Sequence, residues 1–165
     1  ARAYGTFRQE VWVMSGLAHP NVTSLKGYCV DPYAMVMDFV RCGDLYAFLH
    51  DAARPLDWPL RLKLALDIAT GMAFLHALTP PLLHRDLKSP NILLDSLDPR
   101  APVCAKVSDF GLSSLLFLSS FKERVADRAV ANPTWLAPEV LNEEEYSERS
   151  DVYALGVMLH ELLTR

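Results

Sequence analysis

Apolar residues at Phe7, Val11, Met14 and Ala18 recur at helical spacing, so Thr6 to Ala18 is predicted to be a helix. His19-Pro20 ends it, because proline drives the preceding residue out of helical geometry. Val22 to Val30 and Tyr33 to Val40 read as two strands of a hairpin turning at Asp31-Pro32. Gly43-Asp44-Leu45 then opens a short helix with Asp44 as its N-cap. Asp57 caps a longer helix with Pro59 in its first turn and Ala65, Ile68, Ala69, Met72 and Leu75 facing inward. His76, near that helix's end, suits the negative pole of the dipole. Beyond the stop at Pro80-Pro81, Ile92 to Leu94 and Ala105 to Val107 are short apolar runs. They flank the Asp- and Pro-rich connection from Asp95 to Pro102, which predicts a hairpin with a long tip. From Leu112 to Val130 the pattern lapses, and a short amphipathic helix and a mobile loop both fit. Glu143 to Glu145 reads as a solvated face. A last helix is predicted from Asp151, with Val152, Leu155, Val157, Leu159 and Leu162 on several sides, as a buried element requires.

Composition narrows the classes. A chain of 165 residues, 51% hydrophobic and 22% charged, can bury a real core as one domain or a piece of a larger one. A net charge of -4 without basic runs points away from nucleic acid and from an anionic membrane surface. Cys29, Cys42 and Cys104 include no CxxC pair, which suits free thiols in a reduced, cytoplasmic compartment. The longest apolar run, Val152 to Leu159, falls far short of the ~20 residues that span a bilayer.

Candidate chemistry concentrates in HRDLKSPN, His84 to Asn91. Asp86 can accept a proton from an attacking hydroxyl, and Lys88 can steady charge on a phosphoryl group in transfer. Asn91 can hold a magnesium ion, with a second oxygen ligand at Asp109 of the DFG triplet. Followed by APE at Ala137 to Glu139, this order of motifs points to phosphoryl transfer from ATP to a hydroxyl.

These motifs resemble, in order and across nearly the whole chain, those of eukaryotic protein kinases. The resemblance implies an α+β, two-lobed fold with ATP between the lobes: residues 1–37 from the N-lobe, 38–43 the hinge and 44–165 the C-lobe. It implies that Asp86 orients the substrate hydroxyl, that Lys88 lies near the transferred phosphate, and that Asn91 and Asp109 ligate Mg2+. Met37 resembles the gatekeeper beside the adenine, whose edge would meet backbone groups of Asp38 and Val40. Leu93 would form the floor under the purine, and Asp44 would contact the ribose or serve only as a cap. His84, Phe110, Met14 and Leu25 would stack in a column tied to Asp151. Arg85 would receive a phosphate placed on Ser113, Ser114, Ser119 or Ser120. Lys88 suits a serine or threonine acceptor. WLAPEVL (Trp135 to Leu141) and SERSDVYALGVMLHELLT (Ser147 to Thr164) are similar to the tyrosine-kinase-like group. MVMDFVRCGDLY (Met35 to Tyr46) and SLDPRAPVCAKVSDFGLS (Ser96 to Ser113) resemble its Roco kinases, which join a Ras-like GTPase and a COR domain to the kinase.

Three departures accompany the resemblance. Only nine residues precede Glu10, so the Gly-rich loop and the ATP-anchoring Lys are not among these residues, and Glu10 lacks that partner. Arg165 closes the chain inside the last predicted helix, leaving Glu139 without the Arg it pairs with in the family. Asn132 stands where most serine/threonine kinases carry Thr. Two functions are therefore expected to compete. One is an active kinase whose complete domain carries the missing parts, these 165 residues alone being inactive. The other is a pseudokinase-like scaffold that binds partners without catalysis.

Overall fold

The computed structural model describes residues 2–110, 114–115 and 133–165. Five α-helices and three two-stranded antiparallel sheets make up the described residues, a mixed α+β chain. Helix α1 (Arg2–Ser15) is followed by the hairpin of β1 (Leu25–Val30) and β2 (Tyr33–Met37). Short α2 (Leu45–His50) and long α3 (Trp58–His76) come next. Strand β3 (Leu82–Leu83) leads into the 84–91 loop, and β4 (Ile92–Leu94) pairs with β5 (Ala105–Val107). Strand β6 (Ser114–Leu115) pairs back onto β3. Helices α4 (Pro138–Leu141) and α5 (Glu148–Thr164) close the chain.

Capping chemistry sets the middle of the fold. Asp44 accepts the Ala47 N–H at 2.8 Å and Asp57 accepts the Leu60 N–H at 3.0 Å, each satisfying an amide that a helix start leaves open. On α3, Leu60, Leu64, Ile68, Met72 and Leu75 are buried toward β5 and α5. Gly71 belongs to that face because a Cβ there would meet the Asn21 carbonyl oxygen at 2.6 Å and Val107 Cγ2 at 3.0 Å. Asp67 is buried beside it. Its Oδ2 accepts the Cys104 and Ala105 N–H groups at 2.6 and 3.1 Å, and Lys63 pairs with its Oδ1 at 2.8 Å. A helix carboxylate thus fixes the start of β5, four residues before Asp109.

Several boundaries differ from the sequence reading for identifiable reasons. Helix α1 stops at Ser15 rather than Ala18, since Gly16 follows and the Ser15 hydroxyl turns back to the Trp12 carbonyl at 2.8 Å. Its buried residues Val13 and Met14, with Leu17 just beyond, replace the predicted stripe, and Ala18 is exposed. Strand β1 starts at Leu25 rather than Val22, because residues 21–23 are stitched to β5: Val107 N–H donates to Asn21 O and Thr23 N–H to Val107 O, both at 2.9 Å. Strand β2 ends at Met37, short of Val40. Helix α5 starts at Glu148 rather than Asp151, because Ser147 and Ser150 form a reciprocal capping box. Asp151 then falls in its first turn and inside the core.

Candidate active site

One buried carboxylate shapes the 84–91 loop. Asp151 is fully buried and accepts the His84 N–H at 2.9 Å on Oδ2 and the Arg85 N–H at 3.0 Å on Oδ1. His76 Nε2 lies 2.9 Å from Oδ2, and the Tyr146 hydroxyl donates to Oδ1 at 2.5 Å. Burial alone would raise this carboxyl, but His76, His84 and Tyr146 together hold it below its ordinary value. His76 is therefore a partner of Asp151 across the fold, more than the dipole counter-charge its helix position suggests. Arg85 adopts φ 68°, a left-handed conformation that non-glycine residues rarely take, and the Asp151 bond to its N–H holds it there. Of the expected column, His84 and Phe110 meet. The His84 and Phe110 rings are 5.4 Å apart, His84 Nε2 is 3.0 Å from the Ser108 carbonyl oxygen, Met14 and Phe110 belong to the buried core cluster, and Leu25 packs against that cluster.

Past Arg85, the predicted reactive groups converge. Lys88 Nζ lies 2.7 Å from Asp86 Oδ2, and Asn91 Nδ2 donates to the same oxygen at 3.1 Å and to the Asp86 carbonyl at 2.8 Å. Both side-chain donors meet Oδ2. The Asn91 carbonyl accepts the Ser108 N–H at 2.9 Å, which brings Asp109 to within one residue of this cluster. Asp109 is exposed and also left-handed, at φ 65°. Burial, and then the Asp109 carboxylate, raise the Glu10 carboxyl above its ordinary value.

The donor set suits a magnesium ion. Asn91 commits its amide nitrogen to Asp86, which leaves its Oδ1 as the atom that could be offered to a cation. No group of three or more His, Cys, Asp or Glu residues that could hold a metal occurs among the described residues.

Among the residues expected around an adenine, Asp44 and Leu93 are brought together. The Asp44 backbone bridges that of Leu93, and Leu93 stands opposite Lys106 in the β4–β5 ladder. Met37 is 40% exposed and Val40 partly buried. The Asp38 N–H donates to the Ser24 carbonyl at 3.2 Å, so its own carbonyl is what remains for a ligand edge. Its carboxylate accepts the Ser24 hydroxyl at 2.6 Å and pairs with Lys26 at 2.9 Å and Lys106 at 3.4 Å. The Ser24 hydroxyl and then Lys26, with Lys106 adding less, hold this carboxyl well below its ordinary value of 3.8. A depressed carboxylate stabilises the fold above its unfolded pKa and loses that contribution as pH falls toward its folded pKa. The stability gap between the native protein and Asp38→Asn is therefore expected to be constant near neutrality and to close below about pH 4. Thermal melts of both proteins from pH 7 to pH 2 check this, and an offset independent of pH would contradict it.

Lys106, Ser24, Lys26 and Asp67 carry no motif that singles them out in the sequence. Lys106 alone leaves a signal: between buried Ala105 and Val107, strand alternation places it on the opposite face. Glu139, expected to be an unpaired carboxylate, instead accepts the Ser150 hydroxyl at 2.7 Å. Glu143 to Glu145 are exposed, as their charge predicts. Ser113, Ser119, Ser120 and Asn132 lie outside the described residues, as does the side chain of Ser114. No described helix is long and apolar enough to cross a membrane.

The family model described as protein tyrosine and serine/threonine kinase matches residues 2–165. Three proteins of Dictyostelium discoideum are similar over nearly the whole chain. Probable serine/threonine-protein kinase roco6 is 54% identical over 167 residues, 99% of this chain and 8% of the relative. Probable serine/threonine-protein kinase pats1 is 53% identical over 166 residues, 100% of this chain and 5% of the relative. Probable serine/threonine-protein kinase roco8 is 52% identical over 164 residues, 96% of this chain and 8% of the relative. The chain thus spans less than a tenth of the length of each. Matched from its second residue to its last, it belongs to the protein tyrosine and serine/threonine kinase family, with Roco serine/threonine kinases among its similar relatives.

Proposed function

We propose that this chain is the middle of a two-lobed protein kinase domain that transfers the γ-phosphate of ATP to a serine or threonine hydroxyl of a protein. Residues 1–37 belong to the N-lobe, 38–43 to the hinge and 44–165 to the C-lobe. The Gly-rich loop and anchoring Lys come from elsewhere in the polypeptide, as do the GTPase and COR domains typical of Roco proteins. The observation that carries the proposal is the meeting of Lys88 and Asn91 on one oxygen of Asp86.

Each residue then has a task. Asp86 orients the acceptor hydroxyl through Oδ1 and takes its proton as the new ester bond forms. Lys88, 2.7 Å from that carboxylate, holds positive charge where the phosphoryl oxygens pass. Asn91 Oδ1 and Asp109 would hold magnesium, which when bound neutralises charge on the phosphate oxygens. Leu93 lies under the purine, Met37 beside it, and the Asp38 and Val40 backbone along its edge. Asp44 is committed to capping α2 through Oδ1, so ribose contact would fall to its other oxygen.

Radiolabelled transfer from ATP to a generic protein acceptor tests the proposal, comparing the complete polypeptide with these 165 residues alone. The complete protein should transfer phosphate to Ser or Thr. The isolated chain should be slower by roughly 10²-fold or more, because it lacks much of the electrostatic positioning of the phosphates. Absence of transfer by the complete protein, with Mg2+ and ATP present, would overturn it.

A further inference from the structure

Strand β5 leads to the nucleotide side of the site. Lys106, in its middle, reaches the Asp38 carboxylate at 3.4 Å, and Asp109 follows its last residue, Val107, by two positions. Asp86 and Lys88 instead lie on the 84–91 loop, which Asp151 anchors through the His84 and Arg85 amides. What keeps β5 in register therefore bears on one half of the reaction.

The two edges of β5 are held differently. Strand β4 pairs along one of them. Along the other, the Asn21 side-chain amide donates to the Ala105 carbonyl at 3.1 Å, the Val107 N–H donates to Asn21 O at 2.9 Å, and the Thr23 N–H donates to Val107 O at 2.9 Å. Residues 21–23 thus stand in for a third strand, yet they supply no acceptor to the amides of Cys104 and Ala105 at the strand's start. Both residues are fully buried, so water cannot readily take those hydrogens. Asp67 Oδ2 accepts the two of them, at 2.6 and 3.1 Å, from α3. Lys63, one turn earlier on that helix, pairs with Oδ1 at 2.8 Å and donates to the Pro102 carbonyl at 2.9 Å, so the carboxylate is itself fixed.

We propose that Asp67 is a positioning residue for the nucleotide side of the reaction: by ending β5 on a fixed oxygen of α3, it sets where Asp109 and the Lys106 partner of Asp38 stand toward Mg-ATP. This rests on the phosphoryl-transfer reading above. Without the carboxylate two buried amides lose their acceptor, and the strand shifts or frays from the end that Asp67 holds. The 84–91 loop keeps its own anchor.

Calorimetric titration of Mg-ATP into the complete polypeptide provides the test, beside steady-state kinetics with Mg-ATP and a protein acceptor varied separately. Asp67→Ala should weaken Mg-ATP binding by roughly tenfold, the low end of what losing a support behind a metal ligand costs. The KM for Mg-ATP should rise in step, and the KM for the acceptor should stay within about twofold. Asp67→Asn should recover most of the affinity, because its amide oxygen has two lone pairs for the Cys104 and Ala105 N–H groups. Asp67→Glu keeps the charge but sets the oxygens one methylene further out, and should show part of the same nucleotide-selective loss. It carries the comparison if Asp67→Ala does not fold. A folded Asp67→Ala that binds Mg-ATP within about twofold of the native protein would overturn the proposal, as would a loss shared equally by Mg-ATP and acceptor. Asp67→Asn as damaged as Asp67→Ala, with an unchanged melting temperature, would also overturn it, since charge rather than the anchoring of two amides would then be what matters. A native protein that transfers no phosphate would overturn the phosphoryl-transfer reading and this proposal with it, whereas native transfer beside unaltered Mg-ATP binding in Asp67→Ala overturns the proposal alone.

Discussion

Asp86→Asn in the complete polypeptide should lower kcat by roughly 10²- to 10⁴-fold, the range that a positioned general base supplies. The substitution is nearly isosteric. Asn can still accept from Lys88 or Asn91 through its oxygen, so the loop should keep its shape. It cannot take a proton, and it removes the negative charge that Lys88 faces at 2.7 Å. None of the residues proposed to bind the nucleotide is changed, so the KM for Mg-ATP should stay within about threefold. Steady-state kinetics with a protein acceptor measure both quantities. A kcat within about tenfold of the native value would mean that Asp86 is not the proton acceptor.

Asp151→Ala should cost about 3–5 kcal/mol of stability, the penalty typical of breaking a buried charged network by removing one partner. Four donors lose their acceptor at once: the His84 and Arg85 amides, the Tyr146 hydroxyl and the His76 ring. Two of these are backbone groups beside a fully buried side chain, where water cannot readily replace the lost oxygen. Arg85 also loses the bond that holds φ at 68°, so the loop should relax toward ordinary backbone geometry and carry Asp86 with it. Urea unfolding should show a lower midpoint, and phosphate transfer should fall even at temperatures where the variant remains folded. A loss below about 1 kcal/mol, with full activity, would show that the loop is held by something else.

Features whose causes lie within a few residues are legible in the sequence itself. Asp44 and Asp57 cap helices because their side chains reach amides three residues on. The β4–β5 hairpin runs over Ile92–Leu94 and Ala105–Val107, as the two short apolar runs indicate. The Ser147–Ser150 capping box is equally local, yet apolar periodicity does not reveal it, so a start inferred from Asp151 falls three residues late. The loop from His84 to Asn91 is legible for a different reason: its residues are an ordered set of chemical functions, and their order alone points to phosphoryl transfer.

The remaining features depend on which distant elements meet. No periodicity shows that Asp67 will cap the start of β5, that Asp38 will collect Ser24, Lys26 and Lys106, or that His76 will pair with Asp151. The same holds for Glu161, which reads in sequence as an ordinary helix carboxylate and in the fold bridges Ser89 and Trp135. Local order, through caps, turns and alternation, is enough to specify most described helices and the two hairpins. Their placement against one another needs the assembled chain. A carboxylate carries charge without direction, and only packing of α3, β5 and α5 around one core decides which hydrogens it will meet.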